Sequence, residues 1–244
     1  MRNPLTRKLG AFCDFSTEEK AVLDALCADT RTGKAGEILI EEGDRPDDVF
    51  LLVEGWGYRY KHLPDGERQI LAYLLPGDLC DIHIFILKEM DHGIALLGDA
   101  RFAKIHKDEM RSTMRAHPGV LEALFWATLV DEAVLREWLV NVGQRPAYER
   151  IAHLFYELWL RLREVGEVED HEFTFPVTQA QLADTVGLTP VHVNRTLQRM
   201  RQEGLITLEN RRIVIHDIAA LEKISQFDAK YLHLDRRPSK HETS

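Results

Sequence analysis

Cysteine is scarce in this chain. The three present, at 13, 27 and 80 of 244 residues, are odd in number and too widely spread for a disulfide framework. No run approaches the ~18 consecutive apolar residues that a membrane span needs. The stretch from Met1 to Lys8 lacks the apolar core of a signal peptide. Positive charge is not in surplus either: 31 Lys and Arg against 40 Asp and Glu give a formal −9, which excludes an indiscriminate binder of polyanions. No recognised metal-ligand spacing such as His-Glu-x-x-His occurs. Asp81, His83, Asp91 and His92 lie near one another in sequence, but they read as polar residues of a turn rather than a metal site. The expectation is a soluble, cytoplasmic, non-enzymatic protein with no membrane attachment.

What is present divides the chain by texture. Glycines at 43, 55, 66 and 77 sit among polar turn residues, and between them apolar side chains alternate: Ile38/Ile40, Val49/Leu51/Val53, Tyr58/Tyr60 and Ile70/Ala72/Leu74. Period-two alternation with turns every 11 or 12 residues predicts an antiparallel roll. Two more strands are expected near 94–97 and 101–105. Helical spacing takes over after residue 107, and residues 120–142 contain Gly only outside their bounds and no Pro. Their apolar positions are wider than one stripe, so such a helix is covered on two sides. A further amphipathic helix is expected over 147–163, and the tail from Asp235 reads as disordered.

Residues 178–200 carry the most functional information. Leu182 and Val186 give a first short helix an inner face, Gly187 can take the left-handed conformation that ends it, and Thr189-Pro190 restarts a second as N-cap and first residue. Val193, Leu197 and Met200 then point inward. This is the helix-turn-helix layout, in which the second helix enters the major groove of double-stranded DNA. Its outer face offers Pro190, Val191, Asn194, Arg195 and Gln198. Arg pairs with guanine and Asn or Gln with adenine, while Val191 suits a thymine methyl. Thr178 and Gln179 are placed to bond phosphate, and Thr189, His192 and Arg199 lie on or beside the same helix. His192 is equally well read as an ordinary surface residue. A β-hairpin is expected to follow, with Arg211 and Arg212 at its tip, and a strand over Phe173-Thr-Phe-Pro-Val177 is expected to lead into the first helix from the other side. Across residues 178–216 five arginines outnumber Asp184, Glu203 and Glu209, a modest local excess of positive charge in an acidic protein.

The expected fold class is therefore α+β: an N-terminal antiparallel, jelly-roll-like β-roll over 1–115, a long dimerisation helix over 116–146, a winged helix-turn-helix over 147–220, and a C-terminal helix and tail over 221–244. In that order, and with Glu41-Glu-Gly-Asp44, Leu52-Val-Glu-Gly55, Asp65-Gly-Glu67, Leu75-Pro-Gly-Asp78 and Val186-Gly-Leu-Thr189 through Arg195, the chain resembles the Crp/Fnr superfamily of bacterial transcription regulators over roughly residues 10–220. The resemblance implies a homodimer on a near-palindromic operator, contact with RNA polymerase, and a β-roll that senses a signal.

The effector does not carry over. Cyclic-nucleotide-binding members have a Gly-Glu pair and then an Arg-Ser or Arg-Thr pair; here Asp81-Ile82 stands at the first and no arginine stands at the second, so cyclic AMP is not expected by the usual mode. Three cysteines leave an iron–sulfur cluster one thiolate short. Haem-sensing members use a Cys and a His near this part of the roll, which Cys80 and His83 resemble, with His92 nearby in sequence and Asp81 in the same expected effector pocket; the plainer reading makes Cys80 a buried small hydrophobe and His83 a hydrogen-bonded interior or surface residue. A β-roll sensor or interaction module, binding haem or a metal and lacking DNA specificity, stands as the alternative.

Overall fold

Glycine turns and alternating apolar residues fold into two four-stranded antiparallel sheets that face each other. The computed structural model describes residues 3–234, the side chains of His83 and Phe85 excepted. The expected His83 contact and the tail from Asp235 thus lie outside the described residues. Two helices, α1 (Pro4–Leu9) and α2 (Thr17–Leu26), come first. The roll then comprises β1 (Thr30–Gly33), β2 (Ile38–Ile40), β3 (Asp48–Glu54), β4 (Gly57–His62), β5 (Arg68–Leu74), β6 (Leu79–Cys80), β7 (Gly93–Leu96) and β8 (Ala100–His106). The sheet orders are β1-β8-β3-β6 and β2-β7-β4-β5, the connectivity of a jelly roll. Ile40, Val49, Leu52, Leu74, Ile94 and Phe102 meet between the sheets.

Three helices follow: α3 (Lys107–Ala116), α4 (Pro118–Gln144) and α5 (Ala147–Val165). The 27 residues of α4 make a rod ~40 Å long. Val120, Leu124, Val130, Val134 and Trp138 are buried on one side of it, whereas Leu121, Phe125, Leu135 and Leu139 are exposed on another. The Trp138 indole donates to both carboxylate oxygens of Glu157 on α5, at 3.0 and 3.1 Å, fixing the angle between the two helices. Glu157 is fully buried, which pushes its pKa up, and it also accepts from the Tyr231 hydroxyl at 2.7 Å.

The C-terminal module holds β9 (Glu172–Thr174), α6 (Gln179–Val186), α7 (Pro190–Gln202), β10 (Ile206–Glu209), β11 (Arg212–Ile215) and α8 (Ile218–Ser225), with sheet order β10-β11-β9. The strand expected over 173–177 is shorter and starts one residue earlier. Pro176 has no N–H to give the ladder, and the last pairing beyond β9 is Phe175 N–H to the Arg211 carbonyl, 2.7 Å. The last helix begins at Ile218 because Asp217 caps it, accepting from Ala220 N–H at 2.8 Å. This module is braced on the roll. Arg68 of β5 donates twice to Asp184 of α6, at 2.7 and 2.9 Å, and the Tyr73 hydroxyl lies 2.5 Å from that of Thr185.

Candidate nucleic-acid interface

The turn between α6 and α7 is built from local rules. Thr178 caps α6, accepting from Gln181 N–H at 3.2 Å, while Gln181 Oε1 accepts from Thr178 N–H at 2.9 Å. This reciprocal cap satisfies two backbone donors at once. Gly187 ends α6 at φ +62, a conformation that suits glycine, and a Cβ there would also crowd Val142 at 3.1 Å. Thr189 caps α7 by accepting from His192 N–H, and Pro190 opens the helix. Leu182, Val186, Val193, Leu197 and Met200 are buried, as their spacing predicts.

The opposite face of α7 is uncovered. Pro190, Val191, His192, Arg195, Gln198 and Arg199 are exposed, and Asn194 is half-buried. Val191, His192 and Arg195 line an open groove of about 650 Å³ between α7 and the start of α5. An exposed valine beside an exposed arginine offers an apolar contact and a bidentate donor, both of which base edges accept. Arg195 makes no hydrogen bond or ion pair among the described residues.

Other expected contacts are drawn into internal partnerships. The Arg199 guanidinium lies 4.2 Å from the centre of the Tyr148 ring and donates to Glu203 at 2.7 Å, so it is held back along α5. Arg212 pairs with Glu172 across the wing. Arg211, by contrast, sits at the hairpin tip beside Asn210. Both have positive φ, +59 and +50, which makes the tight turn match the twist of β10 and β11. Thr178 and Gln179 stand exposed at the start of α6. Gln179 keeps its Nε2 hydrogens for a phosphate, and its Oε1 accepts from Asn194 Nδ2 at 3.0 Å. Nothing in the sequence pattern marked that link, because it joins two helices across a turn.

The roll has a second polar centre. Asp81 is buried at φ +56, and its carboxylate lies 3.2 Å from Arg59 Nε and 2.9 Å from His92 Nε2. His92 Nδ1 is 2.6 Å from Asp91. Burial alone would lower the His92 pKa; the hydrogen bonds and charges of Asp81 and Asp91 outweigh it and raise the value. Burial would lower the pKa of Arg59, which is largely covered, but Asp81 and then Asp131 of α4 outweigh it and keep the guanidinium charged. The sequence flagged Asp81 and His92 but missed Arg59, hidden on the strand between two tyrosines. Cys80 packs among the apolar side chains between the sheets, and burial pushes its thiol pKa well above the ordinary value. A neutral thiol there is a core residue rather than a thiolate ligand. Among the described residues no three His, Cys, Asp or Glu side chains are grouped to hold a metal ion.

Comparison with known proteins decides the family. Residues 30–117 match the cyclic nucleotide-binding domain, and residues 149–224 match the Crp-like helix-turn-helix domain. The transcriptional activator protein FnrL of Cereibacter sphaeroides is 29% identical over 225 residues, spanning 88% of this chain and 86% of that protein. The chain belongs to the Crp/Fnr superfamily. A nitrogen fixation regulation protein FixK, from Azorhizobium caulinodans, is 24% identical over 216 residues, again 88% of this chain and 86% of the relative. Among solved structures, FixK2 from Bradyrhizobium japonicum aligns with a TM-score of 0.74 at 22% identity, covering 82% of this chain and 98% of that one. This Crp/Fnr-type transcription regulator thus carries the family's two domains in their expected order, with α4 between them. No helix among the described residues is long and apolar enough to cross a membrane.

Proposed function

We propose that the chain acts in the cytoplasm as a homodimeric, sequence-specific regulator that lodges α7 in the major groove of a near-palindromic operator. The observation that carries this reading is the bare outer face of α7, where Val191, Arg195 and Gln198 stand exposed on a helix whose inner face is fully packed. Thr178, Thr189 and Pro190 bring the backbone of α6 and α7 near phosphate, and Arg211 at the wing tip adds a cationic contact. His192 already faces the groove, and Arg199 and Arg212 join the interface once Glu203 and Glu172 release them. The second copy is held by the exposed apolar side chains of α4. Two reading helices then fall about one turn of duplex apart, ~34 Å. From that position the dimer is placed to meet RNA polymerase.

The signal enters through the roll without cyclic AMP. A carboxylate, Asp81, occupies the polar centre, and the arginine beside it is already neutralised by Asp81 and Asp131. A cyclic phosphate arriving there would meet like charge and no free guanidinium. Cys80 and His92 are also committed, to apolar packing and to two carboxylates, which argues against haem.

The test is a random-duplex selection followed by binding curves at several salt concentrations. Wild type should enrich one symmetric motif, and Arg195→Ala should lose about 5- to 150-fold on that motif while binding unrelated duplex as before. Log affinity should fall linearly with log salt. Protein that enriches no motif at moderate salt would refute the reading. Calorimetry with cyclic AMP should give no sub-millimolar isotherm.

A further inference from the structure

The bond between Gln179 and Asn194 has a consequence for sequence choice. Thr178 and Gln181 consume each other's polar groups in the cap of α6. Gln179, between them, takes no part in that cap. Its Oε1 crosses to α7 and accepts one N–H of the Asn194 amide, 3.0 Å away. An asparagine amide is flat and nearly symmetric in shape, so a free one can turn either its oxygen or its nitrogen toward a base. With one N–H tied to Gln179 Oε1, the turned-over state needs the Gln179 amide to turn over as well, and on the duplex that would set Oε1 against the phosphate its Nε2 faces. The amide therefore keeps one orientation. What it leaves unspent is Oδ1 and the second N–H, side by side.

An acceptor next to a donor is the complement of the adenine edge, whose N6 amino group donates and whose N7 accepts. Guanine presents two acceptors at the same edge and would face Oδ1 with another oxygen. We propose that Asn194 reads adenine at one position of each half-site and that Gln179 is the positioning residue that makes the reading selective. Gln179 retains both Nε2 hydrogens for the DNA backbone beside it. The inference rests on the reading of α7 as the groove-entering helix.

The experiment compares wild type, Asn194→Ala, Gln179→Ala, Gln179→Glu and Arg195→Ala in random-duplex selection, with competition curves for adenine and guanine at the position concerned. Asn194→Ala should flatten one adenine position in each half-site, which identifies it. Gln179→Ala should cut the adenine-over-guanine ratio there at least about 5-fold and leave the other positions as selective as before. Gln179→Glu should preserve the ratio, since a carboxylate also accepts from Asn194, while lowering affinity for every duplex alike through repulsion from phosphate. Gln179→Ala that weakens all duplexes equally, with the adenine preference intact, would reduce Gln179 to a backbone contact and overturn the inference. So would an Asn194→Ala motif identical to wild type. Both of those failures leave the Arg195→Ala loss standing. Wild type that selects nothing would instead remove the DNA reading itself, and this inference with it.

Discussion

At the scale of single residues, two side chains sit where their chemistry is strained, and each gives a measurable consequence. Arg211 occupies the left-handed region at φ +59, which costs an L-residue roughly 1–2 kcal/mol. Arg211→Gly should raise unfolding stability by about 0.5–1 kcal/mol once glycine's extra unfolded-state entropy is counted, read as a shift in urea midpoint. The same change should weaken binding to all duplexes equally. His153 on α5 is fully buried against Phe227 and Tyr231, and burial, helped by Arg145, pushes its pKa down to about 3. Glu137 lies 3.3 Å from Nε2, yet without the geometry of a hydrogen bond. The folded value is below the unfolded one, so the unfolded chain takes up the proton first. Stability is then complete above pH ~6.5 and drains as pH falls toward 3. Between pH 6.5 and 4.5 this amounts to about 2–3 kcal/mol. His153→Phe should remove that part of the acid loss, measured as the wild-type-minus-variant difference in denaturation midpoints across those pH values. His92 works in the opposite sense, since its pKa is raised: its contribution is full below ~6.5 and lost as pH rises through the folded value.

At the scale of elements, the brace between β5 and α6 is the part most open to test. Thr185 donates its hydroxyl to the Gln181 carbonyl at 2.8 Å, so the Tyr73 hydroxyl must be the donor in the 2.5 Å contact between them. Tyr73→Phe removes that donor from a buried site and should cost about 1 kcal/mol. Faster amide exchange should appear in α6 before it appears in the roll. This brace could not be read from the sequence, because Tyr73 and Thr185 are more than a hundred positions apart and each looks like an ordinary strand or helix residue. What could be read was local: the period of two in β2 through β5, the Gly187 turn, the Thr189-Pro190 start and the inward Val193, Leu197 and Met200. Two helices before the roll went unseen, although Ser16 and Glu19 form a reciprocal cap. Strands β1 and β6 also escaped. One has polar residues at three of its four positions, and the other is two residues long, too short for any alternation to register. The reading face was legible in composition but not in its couplings. Arg199 and Arg212 look like free cations until Glu203 and Glu172 are folded beside them.

At the scale of the whole molecule, α4 leaves large apolar side chains uncovered. Leu135 and Leu139 stand exposed on α4, about half and three-quarters open to solvent, with Phe125 further along the same helix. Leaving such side chains in water costs roughly 1.5–3 kcal/mol each relative to burial. Replacing Leu135 and Leu139 together by Glu should convert a sedimenting dimer to a monomer, with specific DNA affinity falling by two orders of magnitude or more because two half-sites are no longer gripped at once. Far-UV circular dichroism should stay unchanged, since neither side chain belongs to the core of its own chain. The apolar strip on α4 and the DNA-facing surface of α7 are also separate in the chain, and this has a genetic corollary. A copy bearing Arg195→Ala keeps its strip and would still pair with intact copies, yielding mixed dimers able to grip only half an operator. Expressed in excess in a cell that carries the normal gene, such an allele would be dominant over it.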